Sequence, residues 1–156
     1  MSIEPIRKAV HVPAPPDRAF AAFTRSMGAW WPKRVTVGAS PIAEVVMEPQ
    51  VGGRWFERGE DGSECPWGKV LEWSPPGRVV LAWQLNAAFA YDPDLITHLT
   101  IDFVAVDGGT RVELVHSDLE RLGVNAVQVA EQLRGGWPGI VDEFAAFAAA
   151  AEEVAP

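Results

Sequence analysis

The chain has 156 residues, of which 48% are hydrophobic and 22% charged, so one globular domain spanning residues 1–156 can bury a full core without cross-links. Its 13 basic and 21 acidic residues give a formal charge of -8, which argues against binding to nucleic acid or to an anionic membrane surface. Cys65 is the lone cysteine, so no internal disulfide is expected, and no cluster of cysteine and histidine has the spacing of a metal site. No apolar segment is long enough for a signal peptide or a membrane span, and no cofactor is expected. These observations predict a cytoplasmic protein.

The first half of the chain is predicted to contain a strand, a helix and then hairpins. Alternation over Ile6–Val12 indicates a short strand, and Pro16 can serve as the first residue of a helix. Helical spacing of apolar residues predicts that this helix reaches Met27 and ends at Gly28. Glycine-rich turns follow, and the strands around them are predicted over residues 43–48, 54–58 and 63–73.

The second half continues the strands and closes with helices. Even spacing of apolar residues indicates further strands over residues 79–85, 95–103 and 111–116. A short helix over residues 124–134 is predicted to stop at the Gly135-Gly136 pair, and a separate closing helix is predicted from Trp137 to about Glu153. One run of strands bracketed by helices indicates an α+β fold, with a mainly antiparallel sheet of six to seven strands.

Five local patterns, in order along the chain, resemble one known family. They are the strand-to-helix junction at 12–20, the Gly-Gly-Arg-Trp hairpin at 52–55, the strand pair at 68–83 around Pro75-Pro76, the Gly-Gly-Thr-Arg-Val sequence at 108–112, and Gly136-Trp137. Together they are similar to homologues of the activator of the ninety-kilodalton heat-shock-protein ATPase, within the START and birch-pollen-allergen (SRPBCC) superfamily. The resemblance covers nearly the whole chain. It implies a helix-grip fold, in which a curved antiparallel sheet wraps around a long C-terminal helix with an apolar cavity between them.

Strand alternation, combined with this fold, predicts which side chains face the cavity and contact a ligand. They are Trp31, Trp55, Glu57, Trp83, Leu99, Ile101, Phe103, Leu114, His116, Trp137 and Val141. The alternative is that these side chains simply fill the core. His116 is the polar member of an otherwise apolar face, so it could orient a polar group of the ligand or instead cap backbone groups.

The hairpin that carries Glu57 leaves two registers open. In one register Glu57 faces Glu64, and two close carboxylates would make one of them a proton donor, as acid catalysis requires. A shift by one residue instead pairs Arg58 with Glu64 as a surface ion pair, and this is the favoured alternative. Cys65 has no histidine at a recognisable spacing, so a nucleophilic role is not expected.

Three functions are compatible with these observations. The first is binding of a small hydrophobic molecule in the cavity between the sheet and the C-terminal helix. The second is a cyclase- or hydrolase-type enzyme that uses Glu57 or His116 as acid or base. The third is a chaperone-associated or regulatory interaction module that acts through its outer surface, and a homodimer is left open. No phosphate loop, nucleophile elbow or dinucleotide fingerprint is present, so the motifs do not require catalysis.

Overall fold

The computed structural model describes residues 3–153 and contains one sheet of seven strands. The strands are β1 (Ile6–Val12), β2 (Ile42–Met47), β3 (Arg54–Gly59), β4 (Glu64–Ser74), β5 (Arg78–Trp83), β6 (Thr97–Val106) and β7 (Gly109–Ser117). Neighbouring strands are all antiparallel, and their order across the sheet is β1-β7-β6-β5-β4-β3-β2. The sheet curls into a half-barrel, which confirms the predicted architecture and strand number.

Two short helices, α1 (Pro16–Thr24) and α2 (Met27–Trp30), follow β1. The helix begins at Pro16 as predicted, but the expected single helix up to Gly28 is wrong, because the chain leaves the helical conformation at Ser26 and Gly28 lies inside α2. A Cβ atom at Gly28 would lie 3.0 Å from the backbone nitrogen of Val45. Gly28 therefore permits close packing of α2 on β2.

A single helix, α3 (Ala126–Glu153), closes the fold and packs against β1, α1 and α2. The predicted break is wrong, since α3 passes through Gly135, Gly136 and Pro138 without interruption. Glycine and proline disfavour a helix interior by roughly 1 and 3 kcal/mol relative to alanine. Burial of a continuous apolar stripe outweighs these local preferences. The buried residues of this stripe are Ala126, Val129, Ala130, Leu133, Trp137, Ile140, Val141, Phe144 and Ala148. No helix within residues 3–153 is long and apolar enough to cross a membrane.

The β3–β4 hairpin adopts the register that pairs Arg58 with Glu64. Arg58 Nη2 lies 2.9 Å from a carboxylate oxygen of Glu64, so the favoured surface ion pair is confirmed. Glu57 lies opposite Cys65 instead of facing a second carboxylate. The hairpin therefore provides no carboxylate pair for acid catalysis.

Five of the seven tryptophans form a closed circle of ring contacts in the core, called here the tryptophan cluster. Adjacent members, with the distance between ring centroids, are Trp31–Trp67 (4.8 Å), Trp67–Trp55 (5.3 Å), Trp55–Trp83 (5.9 Å), Trp83–Trp137 (5.5 Å) and Trp137–Trp31 (6.1 Å). These distances suit tilted and edge-to-face aromatic packing. The cluster joins β3, β4, β5 and α3, so it connects the sheet to the closing helix.

Candidate functional site

The buried carboxylate of Glu57 is the centre of a dense set of hydrogen bonds, and the residue is only 1% exposed. The backbone N–H of Val37 and the indole N–H of Trp67 donate to one of its oxygens across 2.6 and 3.0 Å. The hydroxyl of Thr36 donates to the other oxygen across 2.6 Å, and the N–H of Gly38 lies 3.3 Å from it. Since backbone and indole N–H groups can only donate, these contacts match an acceptor-only carboxylate.

A β-bulge in β4 turns Trp67 toward this carboxylate. Trp55 and Phe56 are consecutive in β3, yet they lie opposite Gly68 and Pro66, so Trp67 is the extra residue of β4. Its indole is 2% exposed. The bulge shifts the side-chain phase by one position, so Trp67 joins the inward-facing side chains of β3.

Gly38 permits the loop before β2 to pass close to the hairpin. A Cβ atom there would lie 2.9 Å from Sγ of Cys65 and 3.3 Å from Oε2 of Glu57. Burial raises the pKa of the Cys65 thiol, and the charge of Glu57 raises it further. The thiolate is therefore disfavoured, and Cys65 has no activation as a nucleophile.

The same loop forms one wall of an open pocket, called here the main cleft. It encloses about 270 Å³. Its lining residues are Trp31, Arg34, Val35, Thr36, Val37, Trp67, Trp83, Leu85 and Phe89. The charged and hydroxyl-bearing members, Arg34 and Thr36, are both exposed. Apolar walls with a few polar groups are typical of small-molecule sites.

A smaller pocket, the side cleft, adjoins the main cleft beside α3. It encloses about 180 Å³. Its lining residues are Val35, Trp83, Phe89, Gln132, Leu133, Gly136, Trp137 and Ile140. Because Val35, Trp83 and Phe89 line both pockets, these three side chains form the partition between them.

Asn86 organises the loop that carries Phe89. Its side-chain oxygen accepts hydrogen bonds from the N–H groups of Ala88 and Ala90, across 2.8 and 3.1 Å. Its carbonyl accepts a bond from the N–H of Phe89 across 2.9 Å. Phe89 has a φ of 57°, a left-handed conformation that is unfavourable for a bulky residue. Asn86 thus holds a strained residue at the partition, and strained residues often occur at ligand clamps.

The imidazole of His116 is buried and fully hydrogen-bonded. The indole N–H of Trp137 donates to its Nδ1 across 3.1 Å, so Nδ1 carries no proton. Its Nε2 lies 2.8 Å from Oγ1 of Thr97, and that hydroxyl in turn donates to the carbonyl of Trp83, so Nε2 is the donor. Burial lowers the pKa of His116 to about 3. His116 is therefore a neutral link between β7, β6 and α3, with no ring nitrogen free for a ligand.

The predicted ligand-contacting side chains lie in three different places. Trp31, Trp83 and Trp137 line the clefts, and Glu57 lies behind the wall of the main cleft. The others are buried in the core and line neither cleft: Trp55, Leu99, Ile101, Phe103, Leu114, His116 and Val141.

Several residues of the clefts are absent from the sequence-based prediction. They are Arg34, Val35, Thr36, Val37, Trp67, Leu85, Phe89, Gln132, Leu133, Gly136 and Ile140. Most of the main-cleft members lie in irregular segments before β2 and after β5, where no periodic pattern marks an inward face. Among the described residues 3–153, no group of three or more His, Cys, Asp or Glu side chains could hold a metal ion.

The solved structures that match the chain include relatives of substantial sequence identity. The anthrahydroquino-gamma-pyrone synthase Txn09, described as complexed with SUM, is 36% identical, covers 92% of this chain and 96% of its own, and has a TM-score of 0.65. The solution structure of the self-sacrificing resistance protein CalC from Micromonospora echinospora is 32% identical, with 92% and 93% covered and a TM-score of 0.67.

The Aha1 dimer from Colwellia psychrerythraea has the same fold at 14% identity, with 92% of this chain and 94% of that chain covered and a TM-score of 0.63. No curated protein sequence matched the chain. A model of the family described as Activator of Hsp90 ATPase homolog 1-like protein matches residues 13–149, in agreement with the resemblance found in the sequence motifs. The chain therefore belongs to the Activator of Hsp90 ATPase homolog 1-like family.

Proposed function

We propose that the chain binds a planar, fused-ring aromatic molecule in the main cleft. The observation that carries this proposal is the cleft wall, where three indoles and one phenyl ring surround about 270 Å³. Aromatic side chains give a flat ligand large contact areas and favourable offset or edge-on packing. Arg34 and Thr36, among these rings, can orient the polar edge of such a ligand.

The size of the pockets indicates how such a ligand would fit. Small-molecule sites typically enclose about 300–1,000 Å³, so neither cleft alone reaches this range. The half-buried side chains of Val35 and Phe89 separate the two clefts. We propose that a ligand of several fused rings occupies both clefts, and that the Phe89 ring turns about its side-chain bonds to lie against the ligand while the backbone of Phe89 stays in place.

The named activity of one relative supports this ligand class. Txn09 is described as an anthrahydroquino-gamma-pyrone synthase, and that name denotes a fused-ring aromatic skeleton. Its 36% identity extends over 92% of this chain. We therefore infer a ligand related to anthraquinones or anthrahydroquinones.

A titration with anthraquinone, followed through tryptophan emission, tests the proposal. Saturable quenching at micromolar concentration is expected, and native mass spectrometry identifies any molecule that copurifies. Val35→Trp fills the partition and should abolish saturable quenching. Val127→Trp, at a position on α3 that is 53% exposed, adds the same fluorophore outside the clefts and should leave binding unchanged. Absence of saturable quenching with a panel of fused-ring aromatics, or unchanged binding by Val35→Trp, would contradict the proposal.

A second candidate is catalysis on such a ligand, of the cyclase type. It is favoured by the same likeness to Txn09, which is named as a synthase. Thr36 reaches the main cleft and is hydrogen-bonded to the buried Glu57 behind the wall. Both ring nitrogens of His116, in contrast, are engaged in the core. Conversion of an anthrahydroquinone substrate, followed by chromatography and mass spectrometry, tests it. Glu57→Gln should abolish product formation while anthraquinone still binds.

The remaining proposals concern partners and location. A homodimer is supported by the Colwellia psychrerythraea structure, which is described as a dimer, and light scattering on the purified protein tests it. A chaperone-associated role is suggested by the family description, and a change in the ATPase rate of an Hsp90 chaperone would test it. A cytoplasmic location likewise remains a proposal.

A further inference from the structure

The hydroxyl group of Thr36 donates its hydrogen bond to the buried carboxylate of Glu57. Thr36 Oγ1 lies 2.6 Å from Oε2 of Glu57, within the normal range for an O–H···O bond. A hydroxyl group has one proton to donate and two lone pairs that accept. With its proton directed at the carboxylate, Thr36 has only acceptor capacity left for other partners.

The carboxylate is held in this position by its other contacts. N–H groups of Val37, Gly38 and Trp67 engage its two oxygens. A rotation of the Glu57 side chain would break these bonds in a site that is 1% exposed, and each buried donor left unsatisfied is costly. Glu57 therefore acts as a fixed acceptor that sets the direction of the Thr36 hydroxyl.

Thr36 itself is exposed and lines the main cleft. It is the lining residue of the main cleft that carries a hydroxyl group, and the lone pairs of that hydroxyl can accept a hydrogen bond from a ligand. Arg34, which lines the same cleft, offers only donors. A ligand group that both donates and accepts a hydrogen bond matches these two side chains, and an aromatic hydroxyl is such a group.

We propose that Thr36, oriented by Glu57, is a specificity-determining residue that selects aromatic ligands carrying a phenolic hydroxyl over ligands with an ether or no substituent there. This inference rests on the proposed function and names the ligand's functional group. The O–H group of the phenol donates a hydrogen bond to Thr36 Oγ1. Glu57 is a positioning residue, because it acts through Thr36 and does not touch the ligand.

The test compares two probes of nearly equal size, 2-hydroxyanthraquinone and 2-methoxyanthraquinone, in mildly acidic buffer where the phenol keeps its proton. Quenching of tryptophan emission gives both dissociation constants. The parent protein should prefer the hydroxyl probe by about tenfold, which corresponds to about 1.4 kcal/mol. Thr36→Val has nearly the same shape but no acceptor, so it should lose this preference while the methoxy affinity stays within about twofold. Thr36→Ser keeps the hydroxyl and should keep the preference.

Each other result separates the two proposals. If neither probe binds to the parent protein, the proposed function fails. If both probes bind to the parent equally, or if Thr36→Val retains the preference, the role of Thr36 is overturned and the proposed function stands. If Thr36→Val weakens both probes to the same extent, Thr36 shapes the cleft without recognising the hydroxyl, and the inference is again overturned.

Discussion

The indole N–H of Trp137 on α3 donates a hydrogen bond to Nδ1 of His116 on β7 across 3.1 Å. Both residues are at most 2% exposed, so water cannot easily replace either partner. Trp137→Phe keeps an aromatic ring but leaves Nδ1 of His116 without a donor. We expect this change to lower the free energy of unfolding by about 1–3 kcal/mol in urea denaturation.

Truncation to Trp137→Ala also removes core contacts and should cost about 3–5 kcal/mol. Trp73→Phe is a matched control, because Trp73 is half-buried and its contact with Phe20 is between rings, at 5.0 Å. Equal losses for the phenylalanine variants at 137 and 73 would show that the bond to His116 does not contribute to stability.

The buried imidazole also predicts how stability depends on pH. Burial lowers the pKa of His116 from 6.5 to about 3. Between these values the unfolded chain binds a proton that the folded chain does not, so the free energy of unfolding falls as the pH is lowered. The slope from this one group approaches about 1.4 kcal/mol per pH unit.

His116→Gln removes the titrating group while its amide can still accept from Trp137 and donate to Thr97. The free energies of unfolding of parent and variant, measured across this pH range, should therefore converge as the pH falls. A difference that is constant with pH would show that His116 is not buried in the neutral form.

A substitution at Val112 tests whether the ligand binds in the open clefts or in the core. It is 1% exposed and lines neither cleft. Val112→Trp should overpack the core and lower the free energy of unfolding by about 1–3 kcal/mol, while the folded fraction still binds anthraquinone. Val35→Trp should have the opposite pattern, with an unchanged melting temperature and lost binding. Loss of binding by a stable Val112→Trp would mean that the ligand lies in the core instead.

Alanine substitutions at two glycines should change the stability of the protein in opposite directions. Gly38→Ala would bring Cβ to 2.9 Å from Sγ of Cys65, so it should lower the melting temperature. Gly139 lies in α3, where a Cβ atom would meet no atom of another part of the protein within 4 Å. Gly139→Ala should therefore raise the free energy of unfolding by roughly 0.5–1 kcal/mol. Adding Cys65→Ala to Gly38→Ala should recover part of the loss. If the two losses simply add, the contact with Cys65 is not the cause.

Asn86→Ala should weaken ligand binding with little effect on global stability. The substitution removes the side-chain oxygen that accepts two backbone N–H bonds, so the left-handed conformation of Phe89 loses its support. We expect anthraquinone affinity to fall several-fold in the same emission titration. Asn125→Ala, at an exposed position outside the loop, is the control. Equal affinities for the two variants would exclude a role for the Asn86 loop.

The sequence predicts the sheet well because its regular strands obey a simple rule. Inward and outward side chains alternate along β5 and β7. The inward positions of β5 are Val79, Leu81 and Trp83, and those of β7 include Leu114 and His116. All of them are buried. Hairpin geometry leaves two registers open, and the structure adopts the favoured one, which pairs Arg58 with Glu64.

The clefts are much less predictable, because their members depend on irregular backbone. Trp67 faces inward only through a bulge, and Phe89 reaches the partition only through a left-handed residue. Thr36 belongs to a loop whose path is decided by the buried Glu57. The continuity of α3 across Gly135 is decided by packing partners that are distant in sequence.

The tryptophan cluster also determines how the molecule handles absorbed light. Each of its five indoles lies within 6.1 Å of two others, measured between ring centroids. Dipole coupling at such separations lets excitation energy move from ring to ring before it is emitted, so the ring that emits is often not the ring that absorbed. The emission of the cluster should be strongly depolarised. Trp31, Trp67 and Trp83 belong both to the cluster and to the wall of the main cleft. An energy acceptor bound in this cleft should therefore also quench the emission of Trp55, which does not line it.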